Sequence, residues 1–180
     1  MKIIFLDIDG VLNSFNTFRE IYYEWQLTGI RRVAIDLDKV LLLKEIVDNT
    51  GANIVLSSSW RTFGKMRKGK LVTKNQNLHD LIEILNNNGL EIYDITPKSR
   101  SGNREEEIRK WLENKDIESF IVIDDDSFDL QGFIGHELVK TNFIKTDSHG
   151  EGIKELSGLT TYHVEEAINK LNNGKKLVRH

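Results

Sequence analysis

Two carboxylates separated by a single residue are the first groups in this chain that could do chemistry. Asp7 and Asp9 follow residues 3–6, an unbroken apolar run of strand length, as is typical of a strand buried on both faces. Gly10 comes next and lets the backbone turn without a steric penalty from a Cβ atom. Because two carboxylates this close repel each other, a divalent cation between them is the simplest compensation. An acidic turn that caps a strand is the alternative interpretation.

Polar groups also follow two later apolar runs. Ser57 and Ser58 end the second run, and Asp124 and Asp125 end another, with Asp129 four residues further on. If these runs are parallel strands, their carboxyl ends lie at one edge of a sheet, where ligands bind in open α/β folds. We therefore expect these groups to converge on Asp7 and Asp9. A polar strand terminus explains the serines equally well, and an acidic turn explains the aspartates.

A basic residue near a helix start is the fourth feature. Lys98 lies in a polar loop, and Arg104 lies in the first turn of a helix that Asn103 can cap. Glu106 occupies the capping-box position of that helix. Either cation could lie at the same edge as the carboxylates, so both remain candidates.

Strands that alternate with helices must position these residues. The expected strands are residues 3–6, 53–56, 90–95 and 120–123, with a late strand around 138–139 and 143–144. The expected helices are residues 36–49, capped by Asp36, a helix that begins at Asn77, the helix capped by Asn103, and a final helix marked by Val164, Ala167, Ile168 and Leu171. This alternation predicts βαβ units and a Rossmann-like three-layer α/β sandwich with a mainly parallel sheet. We expect one domain over residues 1–180, with a loose tail at 174–180.

Composition excludes several classes of function. The net charge of the 180 residues is only −3, so no global field favours nucleic acid or a membrane. The absence of cysteine excludes disulfides, zinc–thiolate sites and thiol catalysis. No apolar run approaches the ~20 residues needed to span a bilayer. We expect a soluble cytoplasmic protein without membrane contact.

An aromatic segment follows the first motif. It contains Phe15, Phe18, Tyr22, Tyr23 and Trp25. The segment does not have the pattern of a regular helix or strand, so a hairpin or helical turn that packs these rings against the domain is expected. The alternative is a flap over the site whose rings contact the substrate.

The four motifs together resemble those of the haloacid dehalogenase (HAD) superfamily of phosphohydrolases. Asp-Ile-Asp-Gly-Val-Leu-Asn is similar to the first motif, Ile-Val-Leu-Ser to the second, the cation near the helix start to the third, and Ile-Val-Ile-Asp-Asp to the fourth. Ser-Ser-Ser-Trp-Arg at residues 57–61, and Arg104 followed by Glu107-Ile108 and Trp111-Leu112, resemble the phosphatase domain of Swiss army knife RNA-repair proteins. An acid at position 9 favours phosphate chemistry over carbon–halogen cleavage within this superfamily.

The resemblance implies roles for the catalytic residues. Asp7 would be the nucleophile that forms an aspartyl-phosphate, and Asp9 the general acid and base. Ser57 would bind a phosphate oxygen, and Arg104, with Lys98 as the alternative, would stabilise the transferred group.

The resemblance also implies Mg²⁺ as cofactor, held by carboxylates and a carbonyl. Its expected ligands are Asp7, the backbone carbonyl of Asp9, and Asp125 with Asp124 or Asp129 behind it. The expected substrate contacts are Asn13, Ser58 and Arg61.

The segments between the motifs are too short for a large cap, so we expect a capless or minimally capped, open site. Such a site suits RNA or DNA ends or a phosphoprotein, although a small-metabolite phosphatase is an alternative. Residues 61–74, an expected loop with six cations and no acid, could contact a phosphate backbone or simply be solvated. A non-catalytic module, such as a phosphoacceptor receiver domain, is a further alternative. The position of Asp7-x-Asp9 on the first strand favours the hydrolase.

Overall fold

A five-stranded parallel sheet forms the centre of the computed structural model, which describes residues 1–174. The strands within residues 1–174 are, in chain order, β1 (Lys2–Leu6), β2 (Asn53–Leu56), β3 (Gly64–Arg67), β4 (Lys70–Thr73), β5 (Ile92–Ile95), β6 (Ser119–Asp124) and β7 (Leu138–Lys140). Strands β3 and β4 form a separate two-stranded sheet. The sheet order is β5-β2-β1-β6-β7, with every neighbouring pair parallel, so the predicted α/β architecture is confirmed. The tail expected at 174–180 lies, beyond Gly174, outside the described residues.

Five α-helices accompany the sheet. They are α1 (Phe15–Thr28), α2 (Leu37–Thr50), α3 (Gln76–Asn87), α4 (Arg104–Leu112) and α5 (Thr161–Asn173). As predicted, Asp36 caps α2 by accepting a hydrogen bond from the Asp38 backbone N–H. Gly51 ends the helix in a left-handed conformation. No helix within residues 1–174 has the length and apolar character that crossing a membrane requires.

The alternation of side chains along β1 divides the core into two layers. Ile3 and Phe5 pack on one side of the sheet, where α4 contributes Ile108 and Trp111. Ile4 and Leu6 face the other side, which α2, α3 and α5 cover. Burial on both faces explains why β1 is an unbroken apolar run and why it can only be a central strand.

The aromatic segment differs from its prediction. Residues 15–28 form a regular helix, because Ser14 and Thr17 make a reciprocal capping box at its start. Phe18 packs against Phe143, with ring centroids 5.9 Å apart, but Phe15, Phe18 and two tyrosines of α1 are between 41% and 59% exposed, so the expected packing against the domain covers these rings only in part. Helix α1 is the only regular element between β1 and α2, which agrees with a minimal cap.

The basic segment at 61–74 is a hairpin and not a loop. After a short 3-10 helix (Ser59–Phe63), β3 and β4 pair antiparallel around a turn in which Lys68 and Gly69 both have positive φ, 51° and 76°. A two-residue turn of this hand suits the twist of a β-hairpin. The glycine within a cationic run was the available signal for this turn.

Smaller differences concern element boundaries. Helix α3 begins at Gln76 with Asn75 as its cap, and not at Asn77. The late strand ends at Lys140, before residues 143–144. Asn103 caps α4 as predicted, but Glu106 accepts a hydrogen bond from the Ser101 hydroxyl and makes no reciprocal capping bond.

Candidate active site

Backbone pairing beyond the strand ends brings the predicted motifs together. The N–H of Asp7 donates to the carbonyl of Ile123, and the N–H of Ser57 donates to Leu6, both at 3.0 Å. Asp124 is the last residue of β6. Carboxylate oxygens of Asp7, Asp124 and Asp125 lie within 4.8 Å of one another. The first and fourth motifs therefore form one acidic centre, with Ser57 directly after the end of the neighbouring strand β2.

Gly10 allows this close approach. Its φ of +76° is a conformation that L side chains rarely adopt, and a Cβ atom there would overlap the carboxyl group of Asp125. The Gly10 carbonyl accepts a hydrogen bond of 2.7 Å from the Thr141 hydroxyl. The turn after β1 thus needs glycine for its backbone conformation and for the space that Asp125 occupies.

Both carboxylate oxygens of Asp9 accept hydrogen bonds from side chains. Asn13 Nδ2 donates to Oδ1, and the indole Nε1 of Trp60 donates to Oδ2, each at 2.9 Å. Asn13 Oδ1 in turn accepts from the Gly10 N–H at 2.9 Å. Asn13 is fully buried, so its amide is engaged with this turn, and its predicted contact with substrate stays a prediction. The Trp60 contact was not predicted.

Arg104 is the cation that the structure brings to the carboxylates. Its Nη1 lies 3.1 Å from Asp7 Oδ1 and also forms an ion pair with Asp124. Its backbone N–H donates to Asp129 Oδ2 at 2.7 Å, so Asp129 holds the start of α4 instead of joining the three clustered carboxylates. Lys98 is exposed and makes no ion pair within residues 1–174.

Arg61 supports the serine motif from behind. Its Nη1 donates to the carbonyls of Ser57 and Ser58 at 2.9 and 2.8 Å, and its guanidinium pairs with the buried Glu107. Because Arg61 is only 7% exposed, its predicted contact with substrate has no support in this geometry. Ser57 Oγ is buried without a hydrogen-bond partner within residues 1–174, and an arriving phosphate oxygen would satisfy it.

Uncompensated negative charge marks the acidic centre. Burial, and next the charge of Asp124, raise the pKa of Asp7 to about 7, although the guanidinium of Arg104 opposes the shift. Burial and then Asp124 likewise raise the pKa of Asp125 to about 6. Burial raises the pKa of Asp124 as well. One guanidinium does not offset three clustered carboxylates, so their full ionisation calls for another cation.

These residues fit a divalent magnesium ion. Mg²⁺ prefers oxygen ligands and is bound by one or two carboxylates together with substrate phosphates. Asp7, Asp124 and Asp125 supply carboxylate oxygens close enough to share one ion. Lys140 lies beside them and donates to the backbone carbonyl of Asp125 at 2.9 Å. Its place at the end of β7 was the sequence signal for a further cation at this edge.

The comparison with known families agrees with this site. A family model described as the HAD domain in Swiss Army Knife RNA repair proteins matches residues 3–155. The match includes every residue of the acidic centre, the serine motif and Arg104. No curated protein and no solved structure gives a significant match.

Proposed function

The chain belongs to the family of HAD domains of Swiss Army Knife RNA repair proteins, and from this premise we propose that it is a Mg²⁺-dependent phosphomonoesterase. The observation that carries the proposal is the meeting of Asp7 with Asp124 and Asp125 at one sheet edge, beside Arg104 and the unpartnered hydroxyl of Ser57. Family membership supports HAD-type phosphatase chemistry at the level of the superfamily.

In the first step, a carboxylate oxygen of Asp7 attacks the phosphorus atom of a phosphate monoester. The bond from phosphorus to the leaving oxygen breaks, and that oxygen takes a proton from Asp9, which leaves an aspartyl-phosphate and an alcohol. Arg104, 3.1 Å from Asp7, is placed to stabilise the negative charge on the transferred group. Ser57 donates its hydroxyl proton in a hydrogen bond to a phosphate oxygen.

In the second step, Asp9 takes a proton from a water molecule, whose oxygen attacks the phosphorus of the aspartyl-phosphate. The bond between phosphorus and Asp7 breaks, and inorganic phosphate leaves. Asp7, Asp124 and Asp125, with the backbone carbonyl of Asp9, would hold Mg²⁺, which when bound offsets the repulsion between an anionic nucleophile and an anionic phosphate.

The proposed substrate is the phosphorylated end of a nucleic acid. The family's description names RNA repair, and a single inserted helix, α1, leaves the site without a large cap. A small-metabolite phosphatase is the second candidate, because in the proposed steps Asp7, Asp9 and Ser57 act on the phosphate group and the leaving oxygen and not on the rest of the substrate.

Release of inorganic phosphate from p-nitrophenyl phosphate tests the proposal. We expect turnover with Mg²⁺, its loss after EDTA treatment and its return on adding Mg²⁺. Asp7→Asn should abolish turnover, because the amide is nearly isosteric but a poor nucleophile. Full activity in EDTA would exclude the metal. Absence of turnover under every condition would favour the non-catalytic phosphate-binding module.

A further inference from the structure

One face of the β3–β4 hairpin is cationic. Lys65 pairs with Val72 and Arg67 pairs with Lys70, and side chains alternate along a strand. Met66 and Leu71 therefore share the other face, which packs on the core. Lys65, Arg67 and Lys70 are exposed and make no ion pair within residues 1–174. Their charges are thus available to an external anion.

Two neighbouring cavities extend this cationic face. The first, of about 700 Å³, is lined in part by Lys65, Arg67 and Lys74. The second, of about 580 Å³, lies between the 3-10 helix, the end of β5 and α4. Its lining includes Lys98, Lys110 and Lys115. We call these six residues the basic belt.

The two cavities adjoin and contain no acid. Thr62 and Gly64 line both, and no carboxylate of residues 1–174 lines either. The chain as a whole is net negative, so an acid-free group of six cations is a local departure from its average surface. A surface that only needed to be solvated would tolerate both signs of charge.

The basic belt lies next to the candidate active site. Arg61 lines the second cavity, and the same guanidinium bonds the carbonyls of Ser57 and Ser58. Lys65 follows Ser58 by seven residues, so the first cavity begins within about 25 Å of the serine motif along the chain. Ten nucleotides stacked at about 3.4 Å each span about 34 Å, which covers this distance.

We propose that the basic belt binds the backbone phosphates of a single-stranded nucleic acid whose phosphorylated end lies at Asp7. The inference rests on the proposed function and adds a binding site to it. Phe63 lines the first cavity beside Lys65 and is 56% exposed. An exposed ring among cations can stack on an unpaired base, which favours a single strand over a duplex or a phosphoprotein.

The salt dependence of binding gives the expected magnitude. Each phosphate contact on a single strand contributes about −0.7 to the slope of log K against log salt. If all six cations of the basic belt made contacts, the slope would be about −4. Removing two contacts should flatten it by about 1.4. Between about 1 M and about 0.15 M salt, a slope difference of about 1.4 corresponds to about a tenfold difference in affinity, so the loss of two contacts should weaken binding about tenfold at the lower concentration.

Binding of fluorescent decauridylates, phosphorylated at the 5′ or the 3′ end, tests the proposal on the full chain. The Asp7→Asn background prevents turnover during the measurement. The test variant is K65S/R67S, and the matched control is K2S/K44S. The control also removes two positive charges, but from residues that line neither cavity: Lys2 lies at the amino end of β1, and Lys44 pairs with Asp48 on α2. K110S tests the second cavity separately.

We expect K65S/R67S to weaken decamer binding about tenfold and to flatten its salt slope, while K2S/K44S leaves both within about twofold. In the presence of Asp7, hydrolysis of p-nitrophenyl phosphate by K65S/R67S should stay unchanged. An equal loss of decamer binding and of p-nitrophenyl phosphate hydrolysis would mean that the hairpin is structural and would overturn the proposal. Unchanged decamer binding would also overturn it. The proposal would likewise be wrong if K65S/R67S weakened the binding of a phosphoserine peptide more than that of the decamer. Because binding is measured without turnover, a failure of the belt can be distinguished from a failure of the proposed phosphatase.

Discussion

Replacement of Trp60 by phenylalanine should selectively impair the proposed acid function of Asp9. The substitution removes the indole N–H that donates to Asp9 Oδ2 at 2.9 Å and keeps an aromatic ring where Trp60 packs against the core. Among residues 1–174, Asn13 would remain the only side chain bonded to the carboxylate. With one of its two donors gone, Asp9 can rotate away from the leaving oxygen. Trp60 is therefore expected to be a positioning residue for proton transfer.

The strength of the hydrogen bond from Trp60 to Asp9 determines the expected loss of rate in W60F. A hydrogen bond to a charged group contributes about 1.5–3 kcal/mol, which corresponds to a change in rate of about 10- to 100-fold if the whole contribution is lost in the transition state. The loss should depend on the leaving group. An alkyl alcohol must be protonated as it departs, whereas p-nitrophenolate leaves readily without an acid.

The assay compares kcat/KM for an alkyl phosphate and for p-nitrophenyl phosphate. This parameter reports the steps through formation of the aspartyl-phosphate, so the later role of Asp9 as a base does not enter. We expect W60F to lower the value for the alkyl phosphate about 10- to 100-fold and the value for the aryl phosphate less than about threefold.

Trp111 provides a matched control outside the site. Its indole Nε1 donates to Asp94 Oδ2 at 2.8 Å, so W111F removes the same type of bond from a structural pair. We expect W111F to lower the melting temperature and to leave the ratio of the two kcat/KM values unchanged. Equal losses on both substrates in W60F, or the same change of ratio in W111F, would refute the positioning role.

Three further outcomes follow from the site geometry. Asp9→Asn should slow turnover of an alkyl phosphate by at least about 10²-fold, and near wild-type rates in steady-state assays would contradict its role as acid. Arg104→Ala should reduce kcat more than Lys98→Ala, because Arg104 contacts Asp7 and Lys98 is exposed; a larger loss at Lys98 would reverse the assignment. The folded-state pKa of Asp7, about 7, lies above the ordinary value of 3.8, so the metal-free folded protein retains a proton that the unfolded chain has lost. Its stability should therefore fall as pH rises from about 4 to 7. Mg²⁺ should raise the melting temperature more at pH 8 than at pH 5, and equal shifts at the two pH values would contradict an effect of the Asp7 pKa.

The sequence was sufficient to predict the sheet and the convergence of the motifs, because both follow from burial. A strand covered on both faces must be apolar throughout, and its first polar residue marks its carboxyl end. Residues 3–6 and 120–123 satisfy this pattern, so Asp7 and Asp124 had to lie at one edge once the strands were parallel. The structure places their carboxylates in one cluster.

Side-chain contacts across long stretches of chain could not be predicted in this way. Trp60 and Asp9 are 51 residues apart, and Arg61 and Glu107 are 46 apart. No periodicity relates such residues, and their pairing depends on rotamers that only packing fixes. The regular helix at residues 15–28 was missed for a related reason. The capping box at Ser14 favours a helix locally, even though several of the helix's aromatic rings then stay partly exposed.

The charge of the acidic centre connects these observations to an order of binding. When Asp7, Asp124 and Asp125 are all ionised, Arg104 and the neighbouring Lys140 still leave the cluster with a net negative charge, and a phosphate dianion would meet a repulsive site. The raised pKa values of Asp7 and Asp125 express the same imbalance. A divalent cation removes this imbalance, since its two positive charges more than offset the negative charge that remains. In the proposed mechanism, metal binding should therefore precede substrate binding, and Asp7 should become an effective nucleophile only after the metal has displaced its proton.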